Sequence, residues 1–536
     1  MFNSKRLLTL IFIWFLGVAY FYRKFFLSGF NQTIGDQGDG RFVALVTDHW
    51  YQVVNGDIGW KNLNIFFPTP ETIGLSDLNI LLSVPHLVFR FIGFDIFLAF
   101  LLSTIFITLI GYFSLYFLLT KYFNVEFFIA IFSSFLFTFS SPNVIALSSH
   151  PQLFTIYFLP SFLIGVAQIL QSKERKVLFI FGTFTLFGLI FSTSVYVFVF
   201  TLISLILFLL IYLASKIRKI KLNLRFSPKI IMYVIVAIFS LLLGMSPGLR
   251  VYLPIREQSG GRDFSEIIEY IPSPLNIINI GSNNLVWSKV LNRFESYLNI
   301  DFGSGELSLN PTPVFVTITL ILSILSFNRN RLPIILFSTA ALNFILISRF
   351  GELIPWRIIH KINGFDSIRA IGRFNLLINF ILIMSFAISL NLIFRRVIKH
   401  KLGILFVALI ILMEQIQIDN NFSIIRSDQS VKIQLAKGLP KECQVFYLNS
   451  SLTDIPQAFI QNDAFLVAQV SGLSTLNGYS GIYPPSWNLN SIGDPSYLGR
   501  VEEYIKSRKI QGTICELNIS ESKWYVISNP YIEGNS

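Results

Sequence analysis

Three carboxylates and a histidine share one polar stretch near the start of the chain: Asp36 and Asp39 in Gly35-Asp36-Gln37-Gly38-Asp39-Gly40-Arg41, then Asp48-His49-Trp50-Tyr51. A carboxylate held beside an incoming hydroxyl or amide can take its proton, and two carboxylates together could hold Mg2+ or Mn2+ with water. Asp36 and Asp39 are therefore the candidate catalytic pair, and the candidate ligands if the chemistry uses a metal. Asp48, His49 and Tyr51 are candidate substrate-binding neighbours. The bland alternative is that these acids solvate a loop and cap a helix. The spacing that follows defines their frame: Phe42, Val46, Trp50 and Val53 fall on one helical face, Arg41, Ala44, Asp48, Gln52 and Asn55 on the other. The pattern predicts an amphipathic helix lying on a membrane surface, with Trp50, Tyr51 and Trp60 at the interface. Asp36 and Asp39 would stand at its start, where Asp39 could cap it.

The rest of the chain says what that surface is. With 53% hydrophobic residues, 56 Phe, 13% charged residues and a mean hydropathy of +0.62, a water-soluble globule is excluded. Several stretches reach the roughly 20 apolar residues that a bilayer core requires. The net charge of +12 would suggest nucleic acid in a soluble chain. Here Lys and Arg stand in short clusters between apolar segments, as topology determinants do, and no nucleic-acid partner is expected. The sequence has no phosphate-binding glycine loop, no serine nucleophile elbow and no Cys/His zinc spacing, which argues against an ATP-driven pump and a hydrolase.

Hydropathy predicts a mainly α, polytopic bundle of about eleven spans, at residues 7–27, 94–119, 125–147, 153–171, 177–193, 195–214, 230–249, 311–327, 332–348, 372–394 and 402–418. Residues 177–213 carry no charge and as one helix would be roughly 55 Å long, so they read as a hairpin turning at Ser192-Thr193-Ser194. Its flanks are basic, as are Arg329, Arg331 and the run 395–401, and the positive-inside rule makes that side cytoplasmic. The opposite side receives the first loop (28–93), the loops 250–310 and 349–371, and everything after residue 419. Residues 75–92, interrupted by Asp77, Pro85, His86 and Arg90, read as a re-entrant or interfacial helix. No small-residue cleavage pattern follows the first helix, which reads as an uncleaved anchor with a cytoplasmic N-terminus.

Two domains follow: a membrane part, 1–419, and a soluble extracytoplasmic α/β domain, 420–536, with strands near 443–448 and 524–528 and a helix near 463–470. Cys443 and Cys515, the two cysteines, both lie in that tail. An oxidising compartment makes a disulfide possible there, and two buried thiols are equally compatible with the sequence.

The grouping Gly-Asp-x-x-Asp with Asp-His nine to ten residues later resembles the first-loop signature of bacterial GT-C membrane glycosyltransferases. Three later segments are similar to that group: Ser148-Ser149-His150-Pro151-Gln152, the run from Gly364 through Arg369 and Arg373 to Phe374, and Leu476-Asn477-Gly478-Tyr479-Ser480-Gly481 before Pro484-Pro485. The resemblance implies a GT-C-like bundle with interfacial helices in the first outer loop. It also implies transfer of a sugar from a polyprenyl-phosphate donor to a cell-envelope glycan, lipid or protein, outside a bacterial plasma membrane. That chemistry needs a base and cations on the phosphate leaving group. Asp36 or Asp39 would be the base. Arg369 and Arg373, four apart on one helical face, would clamp the phosphate, with Arg250 and Arg262 as secondary candidates. His150, Gln152, Glu266, Glu269, Asn477 and Tyr479 complete the candidate substrate-binding set. The bland alternatives are snorkelling for the two arginines and a solvated helix face for Arg262, Glu266 and Glu269. A transporter or flippase of a lipid-linked saccharide predicts ionisable groups in mid-span, which the sequence lacks. A non-catalytic scaffold predicts first-loop acids that can be replaced without consequence.

Overall fold

The apolar runs become helices as their length and composition dictate, and the computed structural model describes residues 4–216, 227–303, 305–394, 401–418, 423–451 and 455–527. Helices α1 (Ser4–Phe21) and α2 (Arg23–Leu27) open the chain, and the first loop holds β1 (Gln32–Thr33), α3 (Asp39–Asn55) and α4 (Ile80–Ile92). The bundle continues through α5 (Ile96–Phe117), α6 (Phe127–Phe139), α7 (Ser141–Ser149), α8 (Leu159–Gln171), α9 (Lys176–Thr193), α10 (Val195–Lys216) and α11 (Pro228–Ser259). The second outer loop contains α12 (Ser265–Ile268) and α13 (Ser288–Leu298). After it come α14 (Pro313–Ser326), α15 (Leu332–Ile347), α16 (Trp356–His360), α17 (Asn375–Phe394) and α18 (Lys401–Glu414). The tail comprises β2 (Ile424–Ile425), α19 (Arg426–Lys437), β3 (Val445–Asn449), α20 (Gln457–Ser471), β4 (Ser474–Thr475), α21 (Tyr497–Ser507), β5 (Ile514–Asn518) and β6 (Lys523–Ile527).

Among the described residues, eight helical segments are long and apolar enough to cross a membrane, and they coincide with eight of the eleven expected spans. The other three expected spans form shorter apolar helices, α14, α15 and α18. Helix α4 has thirteen residues, about 20 Å at 1.5 Å each, and is too short to span. The chain is a multi-pass membrane protein. Two of the basic runs on which the expected orientation rests, 217–221 and 395–400, lie outside the described residues, as does Ser528 of the last expected strand.

Helix α17 forms the axis, with every residue from Asn375 to Ser389 buried. Phe374 stacks on Phe200 at 4.4 Å between centroids, fixing the outer end of α17 against α10. The tail is an α/β unit of four strands in the order β4-β3-β5-β6, with β3 parallel to both β4 and β5 and β6 antiparallel to β5. A disulfide joins Cys443 to Cys515 across it.

The tail is interleaved with the first loop. β1 pairs antiparallel with β2, Gln32 opposite Ile425 and Thr33 opposite Ile424. The loop runs along the edge of β4, where Thr475 N–H donates to Asn64 O at 3.0 Å and Phe66 N–H to Asn477 O at 2.9 Å. This contact corrects the surface-lying helix expected from the hydrophobic pattern. Residues Gly40 to His49 of α3 are buried on both faces, with α4 and α5 on one side and α20 on the other. The polar face is covered because it is paired: Arg41, fully buried, meets Asp463 at 2.5 Å, and Gln469 Nε2 donates to Asp48 Oδ2 at 3.0 Å. A buried charge needs such partners.

Candidate active site at the outer end of the bundle

The first-loop acids are carried by a turn that two glycines make possible. Gly35 has φ +114°, and a Cβ on Gly40 would fall 2.4 Å from Gly35 Cα, so larger residues there would prise the turn open. Asp36 Oδ1 accepts the Gly40 N–H at 2.8 Å, satisfying one of the free donors at the start of α3. Asp36, rather than Asp39, therefore serves the helix terminus. Burial raises its pKa, the Gly40 N–H lowers it and the neighbouring Asp39 charge raises it, leaving the carboxyl at about 6.

Asp39 has a different environment. Its Oδ1 accepts the Tyr479 hydroxyl at 2.5 Å and its Oδ2 lies 3.3 Å from His150 Nδ1. Burial pushes Asp39 up, but the bond and charge of His150, the Tyr479 hydroxyl and the Arg373 guanidinium outweigh it and hold the group at about 2. Burial, reinforced by the same acid, drives the Tyr479 phenol well above its usual range.

His150 stands at the break between α7 and a short 3-10 turn, Pro151–Phe158. Its Nε2 lies 3.3 Å from Glu306 Oε1, so the imidazole bridges Asp39 and Glu306 at opposite edges of the ring. Arg373 Nη2 donates to the same Glu306 oxygen at 2.9 Å. Burial and the Arg373 charge press the His150 pKa down, but Asp39 and Glu306 outweigh them and raise it. Burial pushes Glu306 up, and His150 and Arg373 overcome that and hold it far below the usual carboxylate range. Gly372 permits the approach, since a Cβ there would meet Glu306 O at 2.4 Å.

This is a chain of alternating charge rather than a cation cage. The ring separates Asp39 from Glu306, Tyr479 occupies the other Asp39 oxygen, and among the described residues no three His, Cys, Asp or Glu side chains are grouped to hold a metal ion. No step below runs through a metal.

Two openings meet at Asp39. The inner cavity, of about 540 Å3, is lined by Phe191, Val195, Met245, Leu249 and Leu253 from α9, α10 and α11 and by Asp39, Asp77, Gln152 and four arginines. The outer opening, of about 430 Å3, is bounded by Asp36, Gln37, Gly38, Asp39, Ser423, Phe459 and Tyr479. The four arginines differ. Arg256 is engaged by both oxygens of Asp366, Arg262 by Glu266 and the Gly481 carbonyl, and Arg373 by Glu306. Among the described residues the Arg369 guanidinium makes no ion pair and lies over the Tyr270 ring at 5.0 Å.

The expected site residues divide accordingly. The fold brings Asp36, Asp39, His150, Gln152, Arg262, Arg369, Arg373 and Tyr479 to the two openings. Others lie elsewhere. Asp48 is sealed among His86, Arg90 and Gln469. His49 is buried against the Trp60 carbonyl at 3.1 Å, and burial takes its pKa down to about 4. Tyr51 lies under Arg90 and beside Phe91. Asn477 is wholly buried and ties Leu448, Gln461 and Tyr497 together within the tail. Arg250 and Glu269 are exposed and line neither opening, and Glu266 touches the site only through Arg262. Arg369 precedes the 3-10 turn Ile371–Phe374 that carries Arg373, so the two do not share a helical face, and only Arg369 is free of a carboxylate. Two residues escaped the sequence reading. Glu306 was one acid among several in the second outer loop, and Asp77 looked like a simple break in an apolar run.

The many-helix bundle with its interleaved tail has a GT-C-like fold. Two of the solved structures that share it are an arabinofuranosyltransferase and an oligosaccharyltransferase. The arabinofuranosyltransferase AftD from Mycobacteria has a TM-score of 0.52 and 12% identity over 90% of this chain and 32% of its own. The oligosaccharyltransferase of Archaeoglobus fulgidus, solved in its apo form, has a TM-score of 0.53 and 11% identity over 95% of this chain and 69% of its own. The chain thus spans about a third of the mycobacterial enzyme, and at these identities the likeness is one of fold. No family model matches the chain, and no curated protein matches it.

Proposed function

We propose that this chain is an integral-membrane glycosyltransferase that moves a sugar from a polyprenyl-phosphate donor to a glycan, lipid or protein acceptor of the bacterial cell envelope, on the extracytoplasmic face. The observation that carries the reading is the position of Asp39 in the wall common to both openings. A lipid chain fits against the apolar side chains of the inner cavity, and its phosphate fits the unpaired Arg369. The acceptor enters from the outer opening, oriented by Asp39, which His150, Tyr479 and Arg373 keep ionised, and its hydroxyl or amide hydrogen-bonds to Asp36. The acceptor atom then forms its bond to the anomeric carbon as the carbon–oxygen bond to phosphate breaks, and the electron pair leaves with the lipid phosphate. The acceptor's proton passes to Asp36, whose affinity near pH 6 suits a base at neutral pH. Arg369 stabilises the charge developing on the leaving group.

The cytoplasmic N-terminus and extracytoplasmic tail follow from the basic clusters, and the disulfide supports an oxidising compartment for the tail. The test is a mass-spectrometric profile of lipid-linked saccharides and envelope glycans in a deletion strain carrying wild type or the Asp36→Asn/Asp39→Asn double variant. Loss of one defined sugar that the well-expressed variant does not restore is expected. Restoration by the variant would remove these acids from the chemistry.

A further inference from the structure

The inner cavity contains a carboxylate that the transfer scheme leaves idle. Asp77 lies between the Thr72–Leu75 turn and α4 and lines the same cavity as Asp39 and Arg369. Its Oδ1 accepts the Val195 N–H, the first of α10, at 3.2 Å. Among the described residues it makes no ion pair and no other hydrogen bond, so one face of the carboxylate remains unspent. The next residue is anchored from two sides: Leu78 N–H donates to the Tyr252 hydroxyl at 3.2 Å, and Trp50 Nε1 donates to Leu78 O at 2.7 Å. Leu81 N–H adds a bond to Thr193 Oγ1 at 3.0 Å. A carboxylate held this firmly, acceptor-only and aimed into a cavity, is suited to recognising a hydroxyl donor and repelling another carboxylate.

Resting on the transferase reading, we propose that Asp77 reads the donor's sugar: its free oxygen accepts a hydrogen bond from a hydroxyl of the sugar whose phosphate is held by Arg369, so that the site takes a neutral, hydroxylated glycosyl group and rejects a uronic acid. Asp77 is thus a specificity residue of the donor cavity. It neither receives the transferred proton nor touches the breaking bond. The Asp77→Asn variant separates this role from a structural one. Asn keeps a carbonyl oxygen for the Val195 N–H, but it removes the charge and offers an amide donor to the cavity.

The experiment uses the full chain in lipid nanodiscs and measures affinity for farnesyl phosphate alone and for its glucosyl, mannosyl, arabinofuranosyl and glucuronosyl derivatives. In the wild type at least one neutral derivative is expected to bind roughly tenfold more tightly than farnesyl phosphate, the scale of one charge-assisted hydrogen bond. Asp77→Asn is expected to lose that gain, to bind bare farnesyl phosphate as the wild type does, and to bind the glucuronosyl derivative more tightly than the wild type. Retention of the neutral-sugar gain in the variant, or no gain for any neutral sugar in a wild type that binds farnesyl phosphate, overturns the assignment. A wild type that fails to bind farnesyl phosphate at all, or binds it equally after Arg369→Ala, overturns the donor reading itself and this proposal with it.

Discussion

Helix α3 carries one carboxylate on its first residue and another nine residues later, and the two have opposite fates. The Asp39 side chain keeps 35% of its surface open at the junction of two cavities, whereas that of Asp48 keeps 1%. Asp48 is met by His86 Nε2 at 2.9 Å, Arg90 Nε at 2.7 Å and Gln469 Nε2 at 3.0 Å, drawn from α4 and α20. Its acceptor sites are filled by fixed donors, which makes it a cross-link between the two helices of the first loop and the tail. Asp39 is also hydrogen-bonded, yet it still faces space that a substrate can enter. Availability, rather than residue type or proximity in sequence, separates a reactive acid from a structural one.

The largest expected effect sets these two acids against each other. Asp39→Asn should lower turnover at least about a hundredfold, the scale of misplacing a reacting group, with a smaller drop in the thermal midpoint in detergent than Asp48→Asn gives. Asp48→Asn should instead destabilise the protein, by about 3–5 kcal/mol, because it leaves the Arg90 guanidinium poorly compensated. The opposite pattern, with Asp48→Asn stable but inactive, would break the comparison.

Glu306→Gln comes next. It removes the charge that Arg373 and His150 share, and turnover should fall by roughly tenfold to a hundredfold while the proton affinity of His150 drops, measurable by NMR of labelled imidazole. An unchanged His150 titration would detach Glu306 from the chain of charges.

Asp36 sharpens the contrast through pH. Its carboxyl is raised to about 6, so the proton-accepting form is present above that value, and turnover should decline as pH falls through 6. Asp36→Asn should lower the plateau and erase this limb, and a limb that survives belongs to another group. In stability the two acids have opposite signs. Folded Asp36 keeps its proton after the unfolded group has lost it, so its contribution weakens as pH rises from about 3.8 to 6. Asp39, held at about 2, contributes stability that is complete above about 3.8 and is lost as pH falls through 2. The smallest effect contrasts two charges near the inner cavity: Arg369→Ala should raise the donor KM roughly tenfold, and Glu266→Gln should leave it nearly unchanged.

The bundle was legible because apolar length is a direct signal, and each of the eleven expected spans has a helix in its place, three of them shorter than a full crossing. Two of the tail strands, β3 and β6, were legible from β-rich runs, whereas β2, β4 and β5 were not read. The setting of α3 was not. A helical pattern identifies a polar face without saying what covers it, and the cover, Asp463 and Gln469, lies more than 400 residues away. The same distance hid the fate of Asn477, whose motif looked suited to ligand binding and is consumed by the tail's own hydrogen bonds. Glu306 became visible only when Gly372 brought its loop against the start of the central span.

The pairing of β1 with β2, and of residues 64–67 with the edge of β4, also sets an order of biosynthesis. The first loop emerges from the ribosome early, but the strands that complete its hydrogen bonding, and Tyr479, which closes on Asp39, are made some 400 residues later. Until the tail has been delivered to the same side of the membrane, a nascent or truncated chain can insert its helices yet holds its acids in an unfinished pocket. On the proposed function, competence therefore waits on the tail reaching the side of the membrane that holds the first loop.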